Sequence, residues 1–97
     1  MELKKAGISG TLESSDIMVT IKKTNKQCID IRLSSSVEKQ FGDEIRKVIA
    51  DSLKKLGINE AEVDAVDKGA LDCTVRARVK AAAYRACECT EFDWEAE

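Results

Sequence analysis

Hydrophobic and polar positions alternate most cleanly over residues 17–22. There Ile17, Val19 and Ile21 face one way while Met18, Thr20 and Lys22 face the other. Most of these residues are β-branched or long, so the run predicts a strand with one buried face. The alternation returns in "CIDIRL", where Ile29, Ile31 and Leu33 point inward and Asp30 and Arg32 outward. Between the two lies "TNKQ", residues 24–27, with turn chemistry supplied by Asn25. Two alternating runs joined by so short a turn predict an antiparallel hairpin. Residues 7–12 carry a shorter and weaker strand pattern.

The period then changes. Val37, Phe41, Ile45, Val48, Ile49, Leu53 and Leu56 form a stripe with a repeat near 3.6, which predicts a long amphipathic helix. Ser35 with Glu38 fits a capping box at its start, and Gly57 fits the left-handed residue that ends it. Gly42 inside the helix costs about 1 kcal/mol relative to alanine. "AEVDAVD", residues 61–67, predicts a strand whose Val63 and Val66 lie on opposite faces. Residues 70–87 fit two templates. Cys73, Val75, Ala77, Val79 and Ala81 alternate, yet Leu71, Val75, Val79, Ala82, Ala83 and Ala86 form a helical stripe. The length of the segment and its alanine run decide for a helix.

The unit from Ile29 through the long helix to Val66 suits a right-handed β-α-β crossover. The expected fold is α+β: a two-layer sandwich in which two amphipathic helices cover one face of a small, mostly antiparallel sheet. Residues 1–97 suit a single domain, with a short acidic tail from about residue 88 to residue 97 that lacks any periodic pattern.

Charge narrows the function classes. Sixteen basic residues against eighteen acidic ones leave a net charge of −2, without the basic excess that phosphate neutralisation needs. Nucleic acid is therefore not expected as a partner. The basic groups Lys22, Lys23 and Lys26, and again Arg76, Arg78 and Lys80, read as solvated faces. "MELKKAGISG" has no apolar segment after its lysines, unlike a signal peptide, and no run approaches the ~20 apolar residues of a membrane span. A cytoplasmic location is expected, with Cys28, Cys73, Cys87 and Cys89 as thiols. The chain has no histidine. The usual general base at neutral pH and the commonest zinc ligand are thus both missing, which excludes most nucleophilic-triad chemistry.

Several motifs invite a chemical reading. Asp51-Ser52-Leu53 is the tripeptide in which ordinary acyl carrier bundles take phosphopantetheine, but there the serine opens a helix. Here, counting 100° per residue from Val37, Ser52 falls near about 60°, between Phe41 at ~40° and Ile45 at ~80°. That is the middle of the buried stripe, where a serine returns its hydroxyl to the carbonyl four residues back. Cys87-x-Cys89 lacks the further ligands of a metal set. Asp64, Asp67 and Asp72 around Gly69 suit a strand-to-helix turn better than a cation site. Phe92 and Trp94 in the tail suit either folding back or a partner. Ser14 and Ser15, in "GTLESSD", sit on a turn that exposes both hydroxyls. Nothing nearby activates either one as a nucleophile, so a role for them means modification by another protein.

Three blocks, "GTLESSD" followed by "IMV", "SSSVEKQFGDEIR" and "DKGALDCTVRARV", closely resemble the acyl carrier (gamma) subunits of citrate lyases. The resemblance spans residues 6–86. It implies a carrier subunit with no catalytic residues and no metal. Its cofactor is 2'-(5''-phosphoribosyl)-3'-dephospho-CoA, attached covalently by a phosphodiester to the serine aligned with Ser14, with Ser15 as the alternative. In such families an acetyl thioester on this arm is exchanged for citrate by the alpha subunit, and the beta subunit cleaves the citryl thioester to oxaloacetate. The implied partners are those two subunits and the prosthetic-group transferase, with neither nucleic acid nor membrane. Position 15 is often glycine in such sequences, and here it is serine. Glu13 and Asp16 are expected to help the transferase recognise the loop. Other readings are the carrier subunit of a related acyl-exchange lyase or decarboxylase, and a non-carrier interaction module using its sheet edge or acidic tail.

Overall fold

The computed structural model describes residues 3–35 and 38–87. Its elements run β1 (Gly7–Ser9), β2 (Ile17–Lys22), β3 (Ile29–Ser35), α1 (Glu38–Lys55), β4 (Ala61–Asp67) and α2 (Asp72–Ala86). The four strands form one sheet in the order β1-β2-β4-β3. β1 and β4 both pair antiparallel with β2, while β3 pairs parallel with β4. The sheet is therefore mixed and mostly antiparallel, in an α+β fold.

One expectation fails here. β2 and β3 do not form a hairpin, because β4 lies between them in register with both: Val63 sits opposite Ile21 on one side and Ile31 on the other. Two effects outweigh the local turn. Parallel pairing of β3 and β4 lets α1 close a β-α-β crossover. The outer face of β4 is acidic, and its Glu62 lies 3.5 Å from Lys22 on β2 and 3.1 Å from Arg32 on β3. Each such pair contributes only about 0–1 kcal/mol, but both favour the same strand order. β3 is then an edge strand, and Ile29, Ile31 and Leu33 are only partly buried against the core.

The core lies between the sheet and the helices. Ile17, Val19, Ile21, Ala61, Val63 and Ala65 come from the sheet, Ile45, Val48, Ile49 and Leu53 from α1, and Val75, Val79, Ala82, Ala83 and Ala86 from α2. The alanines do more than raise helix propensity. A Cβ on Gly7 would overlap the Ala82 carbonyl, so β1 and α2 meet almost backbone to backbone. Larger side chains would hold them apart.

α1 ends as its sequence indicates. Gly57 has φ +77°, the Gly57 N–H donates to the Lys54 carbonyl at 3.0 Å, and the Ile58 N–H donates to the Leu53 carbonyl at 2.9 Å. This is a Schellman closure, completed by burial of Ile58. The beginning of the predicted stripe fares differently. Phe41 is 52% exposed, and the buried stripe starts at Ile45. Leu71 is 70% exposed because it precedes α2 as an extended N-cap residue and never joins its apolar face. Val37, Cys89, the Phe92–Trp94 pair and the side chain of Glu38 in the capping box lie outside the described residues.

Candidate functional site

The loop joining β1 to β2, residues 10–16, holds Ser14 and Ser15. It starts at Gly10, whose φ of +100° and contact with Ile17 both require glycine: a Cβ would overlap the Ile17 carbonyl. Thr11 Oγ1 accepts from the Glu13 N–H at 3.2 Å and donates to Asp16 Oδ2 at 2.7 Å. The Asp16 N–H then donates to the Glu13 carbonyl at 3.3 Å, closing a turn with Ser14 and Ser15 at its tip. Ser15 has φ +65°, the left-handed region that non-glycine residues rarely occupy. Glycine takes this conformation without the steric cost that a Cβ brings.

The tip is not loose. The Ser15 N–H donates to the Lys68 carbonyl at 2.8 Å, and the Lys68 N–H donates to the Asp16 carbonyl at 2.9 Å. These bonds carry the β2–β4 ladder one step past its last pair, Ile17 with Asp67. Ser14 is exposed. A fixed backbone thus presents an accessible hydroxyl.

A longer-range clamp completes the arrangement. Arg78 on α2 donates from Nε to Asp16 Oδ1 at 3.0 Å and from Nη2 to Asp16 Oδ2 at 2.9 Å. The two-pronged geometry is the strong form of a guanidinium–carboxylate pair. The Asp16 side chain is only 13% exposed. The Arg78 hydrogen bonds, with help from Thr11 and the Ile17 N–H, hold its carboxyl well below the usual aspartate range. Arg78 is therefore not part of a solvated basic face, and Asp16 is not a free recognition charge. Only Glu13 remains exposed for that role.

The other half of the loop's support is Asp67, 1% exposed. It accepts from Ser35 Oγ at 2.8 Å, from the Gly69 N–H at 3.2 Å and from the Ala70 N–H at 3.0 Å. This organises the β4–α2 connection, with Gly69 at φ +88°. The three aspartates do not converge. Asp64 lies 4.0 Å from Lys22, and Asp72 is exposed on the first turn of α2. Among the described residues no cluster of His, Cys, Asp or Glu could hold a metal ion.

Ser52 lies in mid-helix, and its Oγ donates to the Val48 carbonyl at 2.7 Å. It is half-buried, less covered than a place in the middle of the buried stripe implies. Cys28 and Cys73 are exposed thiols, and Cys87 is buried. Of the two carboxylates flanking the serines, Asp16 has both oxygens engaged and Glu13 is exposed to solvent. The Asp16–Arg78 clamp is what the sequence reading missed. Its partners are 62 positions apart, and only the single-residue signals, an acid before a strand and a base on a helix flank, were visible.

Residues 4–86 match the family model described as acyl carrier protein, malonate decarboxylase delta subunit. The citrate lyase acyl carrier protein of Streptococcus mutans serotype c is 54% identical over 95 residues, covering 98% of this chain and 93% of the relative. Its counterpart from Streptococcus pyogenes serotype M5 is 50% identical over the same extent. The fold is shared with a Pseudomonas malonate decarboxylase hetero-tetramer solved in complex with malonate, at TM-score 0.61 and 16% identity over 80% of this chain and 79% of that one. A small α+β scaffold with these similarities is of the acyl carrier class. Within that class, the chain belongs to the citrate lyase acyl carrier protein family.

Proposed function

We propose that this chain is the acyl carrier subunit of a citrate lyase and that Ser14 is its attachment residue. The observation that carries the assignment is an exposed hydroxyl at the tip of a hairpin whose backbone is pinned on both sides of Ser14. A swinging arm needs such an anchor. The hydroxyl must be reachable by a transferase, yet the anchor must stay fixed relative to the surfaces that dock on partners.

The site suits 2'-(5''-phosphoribosyl)-3'-dephospho-CoA. Joining it through a phosphodiester adds negative charge at the loop, where Arg78 already offsets Asp16. Lys68, exposed and bonded through its backbone to Ser15 and Asp16, brings a further cation to the same pole. When bound, the group supplies the thiol on which acyl chains are held as thioesters. The chain's own part is mechanical. Ser14 anchors, Ser15 and Asp16 hold the turn, and the body presents the loop to the alpha and beta subunits in turn. Tethering replaces a dilute encounter by an intramolecular one at an effective concentration on the order of millimolar. The subunit itself is non-catalytic in this reading. Among the described residues no helix is long and apolar enough to cross a membrane.

The similarity to malonate decarboxylase subunits supports a second reading, a carrier serving a related acyl-exchange decarboxylase. Reconstitution separates the two. Loaded carrier mixed with citrate lyase alpha and beta subunits is expected to restore oxaloacetate formation. Restoration only with malonate decarboxylase subunits would select the second reading. The attachment itself is tested by incubating the unmodified protein with the triphosphoribosyl-dephospho-CoA precursor and the transferase. Intact mass and peptide mapping are expected to show one adduct on Ser14. An adduct that survives Ser14→Ala would refute the assignment.

A further inference from the structure

Between the second half of α1 and the first half of α2 lies a cleft of about 210 Å³. The exposed Lys55 and Arg76 stand on its walls around Ser52, Leu56 and Ala77, with the largely buried Lys80 at its edge, and among the described residues no acidic one lines it. On a chain of net charge −2 this local excess of cations stands out. The adjoining groove adds Lys47 and Lys54, offset by Glu44 and Asp51. Nothing in the carrier role described above uses these residues.

We infer that this interhelical cleft is a resting site for the anionic part of the chain's own prosthetic arm, taking its diphosphate between Lys55 and Arg76. The inference rests on the carrier reading with Ser14 as anchor. Charge selects the occupant, because phosphoanions are what two exposed cations on a partly apolar wall recognise. Size selects the fragment. The volume falls below the ~300–1,000 Å³ of pockets for drug-sized ligands, so it holds a diphosphate and an adjoining apolar segment, not a whole nucleotide. Leu56 and Ala77 give that segment its contact surface.

Reach is sufficient. The Ser15 N–H bonds to the Lys68 carbonyl at 2.8 Å, and Cys73 on the cleft wall is five residues beyond Lys68. Five residues span at most about 18 Å even when fully extended. In the arm the diphosphate lies a phosphoribosyl and a ribose unit from Ser14, and these, with the long Lys55 and Arg76 side chains, bridge that distance. The site is also suitably weak. Lys55 and Arg76 are exposed, so their attraction is screened by salt and by water. An effective concentration on the order of millimolar lets even a millimolar site be substantially occupied. The arm then rests on the body between visits and still leaves when a partner's active site binds it more tightly.

The test uses loaded protein whose adduct has been verified by mass. The expected result is ³¹P diphosphate resonances displaced from those of free dephospho-CoA, with backbone amide shifts at Cys73, Arg76 and Ala77 relative to unloaded protein. Both effects should shrink on adding salt. In the double variant Lys55→Gln, Arg76→Gln, which alters only exposed side chains, the ³¹P resonances should return to the free positions. Free dephospho-CoA added at millimolar level to unloaded protein should shift the same amides. Shifts with the free compound but none in loaded protein would assign the cleft to a diffusible ligand and overturn the proposal. So would amide shifts confined to the loop around Ser14, or shifts that persist in the double variant, and in those cases the carrier reading stands because the adduct is present. Absence of any adduct would instead sink the carrier reading, and the mass measurement tells the two failures apart.

Discussion

Two serines in this chain occupy settings that suggest attachment, and their surroundings differ in every respect that matters. Ser52 sits in the tripeptide Asp-Ser-Leu, but it lies well inside α1 and gives its hydroxyl to the Val48 carbonyl at 2.7 Å. Ser14 has no such tripeptide. It lies at the tip of a hairpin held by Gly10, by the Thr11–Asp16 bond and by two backbone bonds to Lys68. A transferase needs an accessible hydroxyl in a defined place. Exposure and a fixed backbone provide that, and a local tripeptide does not.

The largest effects fall on Ser14. Ser14→Ala should abolish the adduct, whereas Ser15→Ala and Ser52→Ala should each leave one adduct per chain by intact mass. If Ser52→Ala removed it, the contrast would collapse.

The next effect concerns the clamp and not the hydroxyl. Asp16→Lys puts a cation against Arg78 and removes the acceptor for Thr11. The tip then loses its fixed position, and displacing a reacting group by about 1 Å can cost on the order of 100-fold in rate. A fall in modification rate of roughly 10- to 100-fold is expected, while the charge reversal Glu13→Lys isolates recognition of the one exposed acid. An unchanged rate in Asp16→Lys would show that the clamp plays no part in presenting Ser14.

The contrast between local and distant signals explains how much the sequence revealed. Both helices, the inward face of β2, the extent of β4 and the end of α1 at Gly57 were readable because each rests on periodicity or on a cap within a few residues. The strand order was not. A four-residue turn between alternating runs favours a hairpin locally, and only the acidic outer face of β4, flanked by Lys22 and Arg32, records the actual arrangement. Phe41 fitted the helical stripe by angle but lies one turn before its buried part. The same applies to the site. The exposed turn was legible, but the pairing of Asp16 with Arg78 links two ends of the chain and leaves no pattern. The left-handed Ser15 has no signature in its own identity, since serine does not demand that conformation.

Titration sharpens the clamp further. A carboxyl with a depressed folded pKa contributes stabilisation above its unfolded value and loses it as pH falls through the folded one. The Asp16–Arg78 pair should therefore be fully present at every pH above the ordinary aspartate value of 3.8 and open only well below it. The Asp16 side-chain carbonyl, followed by ¹³C NMR, should titrate below that value in the parent protein. In Arg78→Met, which removes the largest cause of the depression, the midpoint should move upward towards 3.8. Equal midpoints in the two proteins would show that the pair does not persist in solution.

The backbone conformation at the tip predicts a gain in stability. Ser15 at φ +65° carries a left-handed cost of about 1–2 kcal/mol, and glycine removes it at an entropic cost of about 0.5–1 kcal/mol. Ser15→Gly should thus raise stability in chemical denaturation by roughly 0.5–1 kcal/mol and leave modification at Ser14 intact. A β-branched residue tests the same point in the other direction, and Ser15→Val should destabilise by about 1–2 kcal/mol. A stable Ser15→Val protein would mean that the turn can be redrawn without φ > 0.

The smallest effect brings the comparison back to Ser52. Its hydroxyl bond to Val48 competes with the helix's own bonding, so removing it forfeits little. Alanine restores about 0.5 kcal/mol of helix propensity, against a side-chain bond worth roughly 0.5–1.5 kcal/mol. Ser52→Ala should accordingly change stability by no more than about 1 kcal/mol in either direction. The same variant widens the apolar part of the interhelical cleft without touching Lys55 or Arg76. It is expected to keep the ³¹P displacement that the double variant loses, because the phosphoanion answers to charge and Ser52 contributes none.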